Sequence, residues 1–261
     1  MHFKYFIGHK APDFPVWPDF SYFEYTKRQQ KGKSFRQNMN EDSIFCEYSS
    51  IFNLTRELKK IEAQGGDLIT ISQHRRFVLN TPRGVSASNL PANAISPEVM
   101  LRTAFGPELL PRHGQRYLIG SALSLSNGMM HQYAKSHYIR DILRFCSDLV
   151  DANLLTNSDV EDFLYQKILI PAPNCGTFEV GLFLEIMGFV EAAAEVFWDG
   201  GYKTHHDIYQ CRVFGFLLER LNSWLLLKRL VQMSVDLNRV VGFTTIVSSD
   251  TVIQRGGTNR P

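Results

Sequence analysis

The alternation of hydrophobic and polar positions in the first third of the chain predicts a strand, a helix and a second strand. Residues 3–7 form a short apolar run, which is typical of the first strand of an α/β sheet. From residue 40 to residue 64 apolar side chains recur at helical spacing, and the glycines at 65–66 end the predicted helix. The apolar run 68–71 then predicts a compact, fully buried strand.

The remainder of the chain is predicted to be richer in helix. Residues 80–107, rich in Pro, Asn, Ser and Gly, indicate a long loop or lid. The predicted strands are 109–110, 117–119 and 178–183, and the predicted helices are 128–150, one that opens at Ser158 with Glu161 completing a capping box, 185–198 and 206–233. We expect an α/β protein with one domain over residues 1–261, a central sheet flanked by helices, a helix-rich C-terminal half and a flexible tail over 245–261.

Composition and charge narrow the classes of function. The 261 residues carry a formal charge of +2, which is too small to indicate a nucleic-acid partner. The four cysteines are far apart and form no C-x-x-C pair, so neither a zinc site nor a disulfide framework is expected. The first residues lack the long apolar core of a signal peptide, and no apolar run reaches the length of a membrane span. These features predict a cytoplasmic protein.

Three consecutive cationic or titratable residues, His74, Arg75 and Arg76, follow the second predicted strand. In open α/β folds, ligands bind outside the carboxyl ends of the strands. Two arginines at that edge favour an anionic ligand, with phosphate or diphosphate as the first expectation. The alternative is a surface turn whose arginines pair with carboxylates of a neighbouring loop.

Charged side chains also interrupt two largely apolar predicted helices. Glu47 lies on or beside the apolar face of the first helix, where it either pairs with an arginine such as Arg75 or takes part in catalysis. Arg212 and Glu219 are seven residues apart on one face of the last helix, and Arg220 follows. These charges either form an ion-pair network or present Glu219 to a cleft.

A tyrosine and a histidine share one face of the helix predicted over 128–150. Tyr133 and His137 are four residues apart, and Gln132 precedes them. The pair suits recognition of sugar hydroxyl groups or general-base catalysis, and the alternative is a core tyrosine with a satisfied histidine beside it. No metal site is expected, because no Asp-x-Asp follows a strand and no H-E-x-x-H, P-loop or G-x-G-x-x-G occurs.

Five ordered segments carry a family pattern: residues 40–42 read Asn-Glu-Asp, 46–49 Cys-Glu-Tyr-Ser, 73–77 Gln-His-Arg-Arg-Phe, 132–137 Gln-Tyr-x-x-x-His, and 212–221 Arg-x-x-Gly-Phe-x-x-Glu-Arg-Leu. Together they resemble a glycosyltransferase-like family of bacterial capsule and O-antigen loci. That family has a His-Tyr-Arg-Arg-Tyr signature, whose first tyrosine is absent here, so the chain resembles a divergent member.

The resemblance implies a GT-A-like sheet and a transferase that moves a sugar from a nucleoside-diphosphate donor to a saccharide acceptor. Arginines would neutralise the leaving diphosphate, so no cofactor would be required, with Mn²⁺ or Mg²⁺ as the alternative. The residues implied for the donor are Gly8, His9, Lys10, Asn40, Glu47, His74, Arg75 and Arg76. Those implied for the acceptor or sugar are Gln132, Tyr133, Arg212 and Arg220, and those for catalysis are Glu219, as the base, and His137.

Two other functions stay open. One is a non-catalytic subunit that binds a nucleotide sugar, and the other is a sugar-phosphate or nucleotidyl transferase using the same arginines. The expected partners are the donor, the acceptor and other polysaccharide-assembly enzymes at the membrane, and nucleic acid is not among them. A position at the inner membrane face is therefore the alternative to a freely cytoplasmic one.

Overall fold

A computed structural model describes residues 1–8, 20–24, 35, 42–73, 75–87, 90–102, 106–201 and 209–248. Its strands are β1 (His2–Gly8), β2 (Ser21–Glu24), β3 (Leu68–Gln73), β4 (Arg76–Leu79), β5 (Val85–Ser86), β6 (Asn93–Ile95), β7 (Leu118–Ile119), β8 (Leu123–Ser124), β9 (Ile168–Leu169), β10 (Gly176–Glu179) and β11 (Phe243–Val247). Its helices are α1 (Asp42–Phe45), α2 (Tyr48–Lys60), α3 (Pro97–Arg102), α4 (Gly128–Ala134), α5 (Ile139–Asp151), α6 (Asn157–Tyr165), α7 (Val180–Asp199), α8 (Val213–Gln232) and α9 (Leu237–Val240), with 3₁₀ turns at Pro107–Leu109 and Gln210–Arg212. The predicted α/β class and the helix-rich C-terminal half are confirmed.

The central sheet is mixed. Within the described residues nine strands join it, in the order β2-β1-β3-β4-β11-β6-β5, with β10 paired to β3 and β7 paired to β10. Strand β1 is parallel to both β2 and β3, so Gly8 and Gln73 lie at the same carboxyl edge of the sheet. Strand β4 returns antiparallel to β3, with Arg76 paired to Gln73.

Strand β3 is buried on both faces, as its unbroken apolar run predicts. Ile69 and Ile71 enter the main core, and Thr70 and Ser72 are also buried. The buried Thr70 hydroxyl is hydrogen bonded to the Thr177 hydroxyl at 2.6 Å. A strand of this kind can lie only in the middle of a sheet, with elements packed on both sides.

The main core lies between the sheet and the long helices α2, α5, α7 and α8. Helix α8 is buried around most of its circumference, so it is the central helix of this layer. Its Phe214 ring lies 4.9 Å from Phe45 and 5.0 Å from Phe197. Glu219 and Arg220 therefore belong to a helix that has little free surface on which to carry charge. No helix in the described ranges is long and apolar enough to cross a membrane.

The first predicted helix is interrupted, which the helical spacing did not predict. It breaks at Cys46, whose φ of 54° is left-handed, and α2 begins only after Glu47. Helix α2 then ends at Lys60, where Glu62 with φ 52° reverses the chain. The prediction that the glycines at 65–66 end the helix was therefore wrong.

The helix predicted over 128–150 is also divided. Helix α4 ends at Ala134 and α5 begins at Ile139, so His137 lies in the connection between them. The next helix has its capping box at Thr156 and Asp159 rather than at the predicted Ser158 and Glu161.

Tertiary pairing accounts for the remaining differences. The loop predicted over 80–107 contains β5, β6 and α3. A 3₁₀ turn replaces the strand predicted at 109–110. The strand predicted at 178–183 ends at Glu179, where α7 follows. Residues 245–247 of the predicted tail belong instead to β11, which pairs with both β4 and β6. Residues 249–261 lie outside the described part of the chain.

Candidate active site

The hairpin between β3 and β4 separates the two arginines that were predicted to act together. Arg75 lies in the turn with φ 79° and is exposed, whereas Arg76 opens β4 and is partly buried. Both are beside the carboxyl ends of β1 and β3, as predicted from the sequence. Among the causes that shift the pKa of Glu47 is the charge of Arg76, the partly buried arginine, rather than that of the exposed Arg75 that was predicted as its partner.

Two carboxylates approach each other next to Arg76. Burial raises the pKa of Glu47, and the neighbouring Glu219 carboxylate raises that pKa further. Arg76 and Arg212 act in the opposite direction. Two carboxylates and two guanidinium groups, from four separate segments, thus interact electrostatically.

Glu219 is held in place by the backbone. Its Oε1 atom accepts a hydrogen bond of 2.9 Å from the N–H of Ala172, a residue in the left-handed region with φ 49°. Its Oε2 atom lies 3.8 Å from Nη1 of Arg220. The Glu219 side chain nevertheless keeps 26% of its surface exposed, so it is oriented without being fully buried.

Arg212 connects this cluster to the break between α1 and α2. Its Nε atom donates a hydrogen bond of 3.1 Å to the Sγ atom of Cys46, and its guanidinium lies 5.6 Å from the centre of the Phe216 ring. Burial, and then the Glu47 carboxylate, raise the pKa of the Cys46 thiol to about 12. Cys46 is therefore a hydrogen-bonding thiol and not a reactive thiolate.

A second layer lies behind the carboxylates. Arg220 is 3% exposed, and its Nε and Nη2 atoms donate hydrogen bonds of 3.0 Å and 2.8 Å to Oε1 of Gln132. Its guanidinium lies 5.0 Å from the centre of the Tyr133 ring. Tyr133 is fully buried, so neither it nor Arg220 presents a surface to a sugar, although Gln132 remains partly exposed.

His137 belongs to the same layer. Its ring stacks on Phe216 at 4.1 Å and on Tyr209 at 5.6 Å, and its Nδ1 atom lies 3.3 Å from Oε1 of Gln210. Burial, and then the positive charge of Arg220, lower its pKa to about 4. His137 is consequently a neutral, 9%-exposed ring at pH 7.

The structure brings most of the described candidates into one region. Glu47, Arg76, Arg212 and Glu219 form the group that we call the carboxylate–arginine cluster. Gln132, Tyr133, His137 and Arg220 form its buried support. Gly8 and Arg75 lie at the adjoining sheet edge, and His9, Lys10, Asn40 and His74 are outside the described residues.

Three polar residues near the cluster were missed in the sequence. Cys46 was noted only as part of a motif, and Gln73 and Asn174 were not singled out. The amide of Gln73 donates to Oδ1 of Asn174 at 3.1 Å, and Nδ2 of the buried Asn174 has no hydrogen-bond partner among the residues that the structure describes. The available signal was a polar residue, Gln73, at the end of an otherwise apolar strand.

The cavity beside Asn174 is too small to be the substrate site. Its other lining residues are mainly apolar side chains of α7 and α8, and its volume is about 10 Å³, which is room for about one water molecule. Nor do three His, Cys, Asp or Glu side chains come together to form a metal site anywhere in the described ranges. The carboxylate–arginine cluster remains the strongest candidate for a site of chemistry.

Comparison with known proteins shows which solved structure has a similar fold. No protein-family model and no curated protein sequence matches the chain. Among solved structures, the bifunctional glycosyltransferase WbbM in its apo form is similar, with a TM-score of 0.70 at 13% identity over 95% of this chain. The chain has a glycosyltransferase fold. It spans 46% of the WbbM chain, about half its length, and at this identity the likeness establishes the fold alone.

Proposed function

We propose that this chain is a glycosyltransferase that moves a sugar from a nucleoside-diphosphate donor to a saccharide acceptor in the biosynthesis of a surface polysaccharide. The carboxylate–arginine cluster at the carboxyl edge of the parallel strands carries this proposal. Arginines suit the diphosphate that leaves the donor, and a carboxylate suits the proton that leaves the acceptor. The fold shared with WbbM supports the same reaction class.

The diphosphate is assigned to Arg76 and Arg212. Arg212 is exposed and Arg76 is partly exposed, so an incoming anion can reach both guanidinium groups. As the bond from the sugar to the diphosphate breaks, negative charge grows on the leaving oxygen, and fixed guanidinium groups stabilise it by charge-assisted hydrogen bonds. Arg75 is exposed in the hairpin turn, and its positive charge adds to the electrostatic attraction of the diphosphate.

A metal-independent reaction follows from this assignment. The two guanidinium groups supply the positive charge that a divalent metal brings to a diphosphate in other enzymes. We expect transfer to continue in excess EDTA.

The sugar is assigned to Gln132. The bonds from Arg220 occupy one acceptor of its amide and fix its orientation, and its partly exposed amide N–H groups are suited to donating to hydroxyl oxygens. Tyr133 and Arg220 then act through Gln132 rather than by direct contact, because both are buried. His137 packs against Tyr133 as a neutral ring, and we assign it the role of supporting Tyr133.

The proton of the acceptor hydroxyl is assigned to the carboxylate pair. The sequence singled out Glu219 as the base, and its 26% exposure and fixed orientation support a place for it in the site. We further propose that the reaction takes place in the cytoplasm, at the inner membrane face, beside other polysaccharide-assembly enzymes.

The test is a transfer assay with a panel of nucleotide sugars and saccharide acceptors, in EDTA, in which the released nucleotide and the product mass are both measured. We expect one donor to release its nucleoside diphosphate and to extend an acceptor. Arg76→Ala is expected to lose at least about tenfold in rate through lost stabilisation of the leaving group. Arg75→Ala is the matched control, and we expect it to change the rate much less.

Two outcomes would contradict the proposal. Binding of a nucleotide sugar without transfer to any acceptor would indicate a non-catalytic subunit. Release of a nucleoside monophosphate or pyrophosphate would indicate a nucleotidyl or sugar-phosphate transferase.

A further inference from the structure

Glu47 lies directly after an unusual backbone position. Cys46, the residue before it, has φ 54°, and Glu47 itself has a helical backbone at the first position before α2, so the helix break determines where this residue lies. Its side chain makes no cap hydrogen bond to α2. Glu47 therefore does not cap α2 with its side chain, and its carboxylate belongs to the carboxylate–arginine cluster instead.

The surroundings of Glu47 are charged and titratable on several sides. The groups that face it are Glu219 from α8, Arg76 from β4, Arg212 from the 3₁₀ turn, Cys175 from the segment before β10, and its own neighbours Cys46 and Tyr48. Burial raises the pKa values of both thiols to about 12 and also raises that of the Tyr48 hydroxyl, so these three groups stay uncharged. Burial is the largest influence on the pKa of Glu47, and Glu219 and the two arginines are the charged groups that act on it.

The two carboxylates are held differently. Glu219 accepts a hydrogen bond from the Ala172 N–H and lies beside the Arg220 guanidinium. Burial and the negative charge of Glu219 both raise the pKa of Glu47, which makes it a stronger proton acceptor. A pair of carboxylates in unequal environments is a common arrangement for dividing acid–base roles.

We propose that Glu47 is the general base of the reaction, and that Glu219 is a positioning residue that acts through Glu47. This inference rests on the proposed function and changes its assignment of the base. It also commits the reaction to a direct displacement with inversion at the anomeric carbon, since a base is needed for the acceptor hydroxyl in that case.

The proposed step is balanced within the substrates and the cluster. The acceptor hydroxyl gives its proton to the Glu47 carboxylate while its oxygen forms a bond to the anomeric carbon. The bond from that carbon to the diphosphate breaks, and its electron pair leaves with the diphosphate oxygen, whose charge Arg76 and Arg212 stabilise. Glu47 then releases its proton to solvent when the products depart.

The experiment is the pH dependence of transfer by the full chain and by Glu47→Gln and Glu219→Gln, with Glu57→Gln as a control on the exposed side of α2. We expect Glu47→Gln to lower kcat by about 10²–10⁴-fold with KM for the donor nearly unchanged. Glu219→Gln is expected to keep more activity and to move the acid limb of the kcat profile to lower pH, because the neighbouring negative charge is gone. The control is expected to match the unmodified chain, and the product is expected to have inverted configuration.

A second readout is independent of activity. Because the charged form of Glu47 is disfavoured by burial and by Glu219, Glu47→Gln should raise the melting temperature more at pH 8 than at pH 5.

Each outcome decides the assignment. Glu47→Gln with a kcat within about threefold of the unmodified chain, an acid limb that does not move in Glu219→Gln, or a retained configuration would overturn the role of Glu47 while leaving the transferase intact. No transfer by the unmodified chain with any donor would instead overturn the proposed function, and this assignment with it.

Discussion

Arg212 donates a hydrogen bond of 3.1 Å from its Nε atom to the Sγ atom of Cys46, which lies 166 positions earlier in the chain. The contact joins the start of α8 to the break between α1 and α2. Gly215, one turn into α8, leaves the space for this approach, because a Cβ added there would lie 2.4 Å from the same Sγ atom. The approach places the segment carrying Glu47 against the helix that carries Glu219.

We therefore expect Gly215→Ala to destabilise the protein by about 1–3 kcal/mol through overpacking, although alanine is the better helix former. The measurement is chemical unfolding in urea. Gly188→Ala in α7 is the matched control: a Cβ there meets nothing within 4 Å, and we expect the control to be neutral or to gain up to about 1 kcal/mol.

A double-variant cycle links this effect to Cys46. Glycine at position 46 suits the φ of 54° and removes the atoms that the new methyl group would strike. Cys46→Gly combined with Gly215→Ala should thus be more stable than the sum of the single changes predicts, by about 1 kcal/mol or more. Additive effects would contradict the close packing of α8 on the helix break.

The lowered pKa of His137 leads us to expect that the folded protein loses stability in mild acid. Its pKa is about 4 in the folded protein, below its ordinary value of 6.5, because of burial and then the charge of Arg220. Between pH 6.5 and 4 the unfolded chain takes up a proton on this ring that the folded chain does not, so the stability present above pH 6.5 is lost as the pH falls. At 1.36 kcal/mol per pKa unit the loss is about 3 kcal/mol.

The measurement is the unfolding free energy from pH 7 to pH 4, compared with that of His137→Phe. Phenylalanine preserves the stacking on Phe216 and cannot be protonated. Its curve should be flatter in this window than that of the unmodified chain. Parallel curves would rule out a neutral, buried His137 as the source of the acid sensitivity.

The buried Arg220 predicts a structural role for Gln132. Gln132→Ala removes the acceptor of two guanidinium N–H groups and should destabilise the protein by about 1–3 kcal/mol. Gln132→Glu keeps an acceptor at the same place and adds a charge opposite to that of Arg220, so it should retain most of the stability. Thermal unfolding of both variants checks this, and equal losses would indicate that the hydrogen bonds contribute little.

Local patterns explain why much of the fold could be predicted. Strand β3 and the long helices α7 and α8 follow from apolar runs and periodicity, which burial on the sheet and in the core preserves. The position of Arg76 was also predictable. It follows the apolar run of β3, and ligand-binding residues of open α/β folds lie just beyond the carboxyl ends of such strands.

Long-range contacts explain what could not be predicted. The break at Cys46 depends on Arg212 and Gly215, which no local pattern connects to it. The place of β11 in the sheet depends on pairing with β4 and β6, which lie far from it in the sequence. The separation of Arg75 from Arg76 depends on the antiparallel return of β4.

The most direct measurement of the central claim is the thermal unfolding of the unmodified chain, Arg76→Ala and Arg75→Ala with nucleoside diphosphates and nucleotide sugars, in EDTA. A ligand at 100 times its Kd should raise the melting temperature by roughly 5–10 °C. The account predicts such a shift for the nucleotides of one base, lost in Arg76→Ala and largely kept in Arg75→Ala. No shift with any nucleotide, or an equal shift in Arg76→Ala, would contradict a diphosphate site at the carboxylate–arginine cluster.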